Sequence, residues 1–152
     1  MSDEQFRALR REAMAGIKLD ADCEMTGFDV DPSVIRMARQ NAEEAGVGDL
    51  IRFVTTDMRK VRFPENFGVL ITNPPYGKRL SPEEGIESLM DDFAQQFLSL
   101  RTWSVYVITS FPAFEKMAGR TASRRRKLFN GGEETTFYQF LGLNPHRFQT
   151  SE

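Results

Sequence analysis

The stretch Ile71-Thr72-Asn73-Pro74-Pro75-Tyr76-Gly77 decides the fold. With Val69 and Leu70 before it, Ile71 completes a short, continuous apolar run, which predicts a buried strand of a parallel sheet. Asn73 ends that strand. Pro74 and Pro75 then forbid helix and ladder pairing and force a stiff extended turn. Tyr76 adds a ring, and Gly77 lets the backbone turn away. An amide, a proline carbonyl and an aromatic ring are thus gathered at the carboxyl end of a strand, where open α/β sheets bind their ligands.

That arrangement suits attack by an exocyclic amino nitrogen on an electrophilic carbon. An aromatic amine is a poor nucleophile because its lone pair is delocalised into the ring. The Asn73 side-chain oxygen and the Pro74 carbonyl supply two acceptors for its N–H bonds, drawing the nitrogen towards tetrahedral geometry. Tyr76 is placed to stack on a flipped base, since such sites read a base by its edge and its face. The plainer alternative is a Pro-Pro turn that caps a strand, with Tyr76 as ordinary packing.

Outward from this stretch, the pattern alternates between helix and strand. Residues 2–18 read as an amphipathic helix with Phe6, Leu9, Ala13 and Ile17 on one face and a solvated basic cluster around them. Residues 25–29 read as a short strand. Asp31-Pro32 opens the next helix with an N-cap and a proline at its first position. Val34, Ala38, Ala42 and Ala45 form its expected buried stripe, and Gly46 closes it. Asp29 falls at the carboxyl tip of its strand, where a carboxylate can accept both hydroxyls of an adenosine ribose. Asp31 is a rival for that role, but helix capping accounts for it without a ligand. Residues 50–55 read as the next strand, with Asp57 two residues beyond.

After Tyr76, Lys78 and Arg79 are placed to touch substrate phosphates, or are plain exposed loop charges. Ser81-Pro82-Glu83-Glu84 is a capping box, and Ile86, Leu89, Met90, Phe93, Phe97 and Leu100 then repeat at helical spacing as core. Residues 103–109 read as a central strand and residues 113–118 as a short helix. Asn130-Gly131-Gly132, between a basic run and the Thr-, Phe- and Tyr-rich residues 134–141, signals a β-hairpin. Residues 124–127 fit equally a phosphate-binding edge or charges that guard an edge strand against aggregation. Residues 144–152 read as a loose tail after a partial domain over residues 1–143.

Bulk properties narrow the classes. The 152 residues are 40% hydrophobic and 28% charged, as expected for one globular domain. Cys23 is the lone cysteine and His146 the lone histidine, which leaves no disulfide framework, thiolate or histidine metal cluster, or Ser-His triad. No apolar run approaches membrane-spanning length and the N-terminus is polar, so a reducing, cytoplasmic setting is expected. A formal charge of −2 and a pI near 5.6 are not the footprint of a stand-alone nucleic-acid binder, though they suit a catalytic domain whose substrate is gripped elsewhere.

Asn73-Pro74-Pro75-Tyr76 resembles the catalytic motif of class I S-adenosylmethionine-dependent amino-methyltransferases. The longer match, Gly27-Phe28-Asp29-Val30-Asp31-Pro32 followed by residues 71–80, is similar to the bacterial THUMP-domain proteins that methylate guanine N2 in large-subunit ribosomal RNA. Those proteins are often labelled N6-adenine-specific DNA methylases. The resemblance runs from about Phe6 to about Leu141. It implies an α/β, Rossmann-like sheet with a terminal antiparallel hairpin, S-adenosyl-L-methionine as cofactor and RNA as substrate, with DNA adenine N6 as the alternative. It further implies that Asp29 holds the cofactor ribose, that Asp57 accepts from its adenine amino group, and that the Met58 backbone N–H meets a ring nitrogen. Asp57 can equally be a turn residue bonding its own loop.

The resembled fold begins with a strand and a glycine-rich loop that wraps the methionine part of the cofactor. Gly46-Val47-Gly48 follows a helix and precedes a strand, the wrong context for that loop. The resemblance therefore implies the C-terminal part of a longer enzyme, without its THUMP module and without the strand between those ending at Asp29 and Asn73. Weak methylation by this chain alone is expected, together with self-association through open strand edges. A non-catalytic interaction or dimerisation fragment is the reading from a different class.

Overall fold

The computed structural model describes residues 2–17, 23–63, 67–74, 86–111, 114–130 and 132–143. They fall into two compact units, Met1–Thr56 and Asp57–Glu152. In the first unit, helix α1 (Asp3–Ala15) opens with a capping box: Ser2 Oγ accepts from the Gln5 backbone N–H, and Gln5 Oε1 accepts from the Ser2 N–H. None of its residues is buried, so the apolar face of Phe6, Leu9 and Ile17 lies open.

Strand β1 (Met25–Asp29) pairs in parallel with β2 (Ile51–Thr55), in a register that sets Gly27 beside Phe53 and Asp29 beside Thr55. Helix α2 (Pro32–Glu44) makes the crossover that a parallel pair requires. Asp31 Oδ1 accepts from the Ser33 N–H at 2.7 Å, Pro32 occupies the first turn, and Gly46 leaves the helix at φ +72°. The expected stripe needs correction. Ile35 and Ala42 are buried and Ala38 half-buried, whereas Val34 and Ala45 are exposed. An inner face at i, i+3 and i+7 from Ile35 buries the larger side chain, and Ala45 already belongs to the helix end.

The second unit contains β3 (Gly68–Thr72), α3 (Ile86–Phe97), β4 (Trp103–Thr109), α4 (Phe114–Ala118), β5 (Arg124–Asn130) and β6 (Glu133–Phe140). The four strands are ordered β3-β4-β6-β5. The β3–β4 pair is parallel, and the other two pairs are antiparallel. Strand β4 is central, and alternate residues from Trp103 to Thr109 are buried. Met90, Phe93 and Phe97 of α3 pack on Val105, Val107, Tyr138 and Phe140, with Phe114 closing the cluster. The hairpin expected around Asn130-Gly131-Gly132 forms, with Gly132 at φ +90°.

Strand β3 exists where expected but is not buried. Val69 and Ile71 are 62% and 75% exposed. Among the described residues β3 pairs only with β4, so it is an edge strand, and only the face shared by Leu70 and Val105 meets the core. An apolar run reports which residues favour cover; it does not supply the element that covers them. Similarly, β1 pairs only with β2 among the described residues. Gly68 fits closely against Trp103: a Cβ there would lie 2.4 Å from two ring carbons. The indole packs edge-on to Phe63 at 5.0 Å, and its buried Nε1 has no hydrogen-bond partner among the described residues. No described helix is long and apolar enough to cross a membrane.

Candidate active site

Asn73 and Pro74 follow β3 directly, at the carboxyl end of the parallel pair. Asn73 is exposed and Pro74 buried. The proline is thus buried at the strand end while Asn73 stays accessible, which is what an acceptor for an incoming amine requires. Beside it, β4 ends at the buried Thr109, whose Oγ1 accepts from the Phe111 N–H at 3.1 Å and fixes the chain's exit. Pro75, Tyr76, Lys78, Arg79 and the capping box at residues 81–84 lie outside the described residues.

In the first unit, Asp29 is half-buried at the tip of β1. Its Oδ1 accepts from the Asp31 N–H at 2.8 Å, and its backbone carbonyl accepts from the Thr56 N–H at 2.8 Å. One carboxylate oxygen is thereby fixed by backbone and the group is oriented at a strand end. This fits a carboxylate that accepts from ribose hydroxyls. Asp31 is committed to its helix: hydrogen bonds from Ser33 hold its carboxyl below the usual carboxylate range.

Asp57 tells a different story. Its Oδ1 accepts from the Arg59 backbone N–H at 2.8 Å and from Arg59 Nε at 2.9 Å, while Oδ2 accepts from Nε at 3.1 Å and from the second guanidinium nitrogen. Hydrogen bonding to Arg59 lowers the carboxyl to about 2. The turn role weighed in the sequence is realised, since Asp57 N-caps the 3-10 turn Met58–Lys60. Asp57 can accept from an adenine amine only if Arg59 shares or releases it. Arg59, which also approaches Asp92 at 3.9 Å, is the residue the sequence reading missed. The available signal was an arginine two positions after a capping aspartate. Met58 opens that turn, so its N–H is one of the orphan donors of a helix start, while its side chain packs against the core.

A profile of the UPF0020 family, described as an RMKL-like methyltransferase domain, matches residues 1–139. The chain is 41% identical over 136 residues to YpsC of Bacillus subtilis, named as a candidate RNA methyltransferase; the match covers 88% of this chain and 35% of that one. It is 34% identical over 137 residues to the ribosomal RNA large subunit methyltransferase K/L of Legionella pneumophila, covering 88% of this chain and 19% of that one. Among solved structures, SMU.472, a candidate methyltransferase crystallised with SAH, superposes with a TM-score of 0.81 at 33% identity, over 95% of this chain and 38% of that one. The chain therefore spans 35% of the length of YpsC and 19% of that of the Legionella relative.

Proposed function

The chain belongs to the UPF0020 family of RMKL-like methyltransferase domains, and from that premise we propose that it carries the amine-orienting part of a site that methylates the exocyclic amino group of a nucleobase. The favoured acceptor is guanine N2 in large-subunit ribosomal RNA, in the cytoplasm. The observation that carries the proposal is the accessible Asn73 beside a buried Pro74, at the carboxyl end of a parallel strand. The mixed α/β fold is that of class I methyltransferases, one of them crystallised with SAH.

In this reading the Asn73 oxygen and the Pro74 carbonyl accept the two N–H bonds of the amine and keep its lone pair out of conjugation, while Tyr76 stacks on the base. Pro75 stiffens the turn, and Lys78 and Arg79 meet flanking phosphates. Asp29 accepts from the ribose hydroxyls of S-adenosyl-L-methionine, and the Met58 N–H and Asp57 meet its adenine, with Arg59 moving aside. The cofactor supplies an electrophilic methyl on a sulfonium. Attack forms the N–C bond and breaks the C–S bond. No general base is needed, because positioning and the leaving group carry the step and the proton departs to solvent.

Replacing Asn73 by alanine, assayed in a polypeptide of the relatives' full length, should abolish transfer of labelled methyl groups to ribosomal RNA yet spare binding of S-adenosylhomocysteine. Unchanged turnover would remove the amine-orienting role. Transfer to adenine in DNA instead of to RNA would replace the acceptor but keep the mechanism. Calorimetric titration of this chain with S-adenosylhomocysteine, alone and as Asp29→Ala, tests the ribose contact separately.

A further inference from the structure

At the other end of the sheet from Asn73, a surface cleft of about 570 Å³ lies where α3 ends, β4 begins and the chain leaves β6. Gln95, Ser99, Arg101 and Arg120 supply its polar wall, and no Asp or Glu is among the described residues that line it. Arg120 is placed by the fold. Helix α4 stops at Gly119, which takes φ +59° and turns the chain towards the cleft. The Arg120 guanidinium donates to the Leu98 carbonyl at 3.3 Å and to the Leu141 carbonyl at 3.0 Å, and lies 5.6 Å from the centre of the Phe140 ring. Two of its five N–H donors are thereby used, and three have no acceptor among the described residues. Arg101 makes no side-chain hydrogen bond or ion pair among them.

Arg59, Arg125 and Lys127 have carboxylate partners, whereas neither Arg101 nor Arg120 has one among the described residues. Both arginines line the cleft, and its described lining holds no carboxylate. Burial and the charge of Arg101 together push Arg120 below its ordinary value. A fixed, partly desolvated guanidinium with a second arginine lining the same cleft suits the oxygens of a tetrahedral oxyanion, which planar Arg forks bind through paired N–H bonds.

We propose that this cleft is a phosphate-binding site, with the group held between the guanidiniums of Arg101 and Arg120. The phosphate belongs either to a nucleic-acid backbone or to a free phosphate compound. The inference does not rest on the methyl-transfer reading, because its test uses neither methyl donor nor acceptor.

The test is calorimetric titration of the chain with inorganic phosphate at fixed ionic strength, with melting temperatures read in parallel. Arg120 is left intact because its two carbonyl bonds hold the fold. Phosphate should bind the unmodified chain and raise its melting temperature. Arg101→Gln should bind about tenfold more weakly. Arg101→Glu should abolish binding while raising the basal melting temperature, because it gives Arg120 a carboxylate. A short single-stranded RNA that displaces phosphate, and is itself weakened by Arg101→Gln, assigns the phosphate to a nucleic-acid backbone. RNA indifferent to that substitution assigns it to a free compound. Absence of phosphate binding by the unmodified chain, or equal binding by all three proteins, overturns the proposal.

Discussion

Substituting Gly68 by alanine tests whether the approach of β3 to β4 is as tight as the structure shows. A Cβ at this position would stand 2.4 Å from two carbons of the Trp103 ring and 2.6 Å from a third. Ordinary carbon contacts begin at about 3.5 Å, so strand and ring would have to part by about 1 Å. The ring has little room to retreat, since Trp103 is buried and wedged against Phe63, which in turn meets Phe97 at 5.4 Å. Overpacking of this kind costs about 1–3 kcal/mol. The lower chain entropy of unfolded alanine offsets about 0.4–1 kcal/mol of that. Gly68→Ala should therefore lose about 1–2 kcal/mol, a large fraction of a total stability of about 5–15 kcal/mol. Urea unfolding followed by far-ultraviolet circular dichroism would show it as a lower midpoint at unchanged slope. On a Trp103→Leu background, which removes the six-membered ring, the same substitution should be neutral or stabilising. A Gly68→Ala protein as stable as the parent, or equally destabilised with and without the indole, would refute the close approach.

Two further outcomes follow from the exposed and charged positions. The Asp57 carboxyl falls from 3.8 to about 2 through its hydrogen bonds with Arg59, so its folded value lies below its unfolded one. Its stabilising contribution is complete above about pH 4 and disappears as the pH falls through about 2; carboxyl NMR should place its midpoint there, and Arg59→Gln should return it towards 3.8. A midpoint near the unfolded value in the parent chain would contradict the paired geometry. Val69→Thr and Ile71→Thr, on the open face of β3, should change stability by less than about 0.5 kcal/mol and reduce self-association seen by sedimentation; a loss as large as that of a core residue would mean the face is covered.

Elements with a strong local signature were legible in the sequence. Asp31-Pro32 capped α2, the apolar run at residues 103–109 became the central strand, and Asn130-Gly131-Gly132 marked the hairpin, because each rests on backbone preferences that tertiary context did not override. The core face of α3 was legible too, since Met90, Phe93 and Phe97 leave one face for burial. Exposure was not. Val69-Leu70-Ile71 has the composition of a strand flanked on both sides, yet neighbours are a property of topology and β3 has one among the described residues. In α2, Ala38 and Ala42 lie on the inner face as expected, but Ile35 is buried in place of Val34 because both are acceptable inner residues and only packing chooses between them. For the candidate site, the position of Asn73 at a strand end followed from Pro74 and Pro75. The grip of Arg59 on Asp57 did not, because a short-range ion pair competes with a ligand in a way that spacing alone cannot rank.

The indole of Trp103 is the chain's sole tryptophan, so its emission reports one place and no other. Enclosed by Phe63 and the backbone of Gly68, with no partner for its N–H among the described residues, it should emit to the blue of a solvated indole. Its ring rests on the first residue of the strand that ends just before Asn73. A perturbation that shifts that strand against the ring should therefore change this emission, a readout that needs no label.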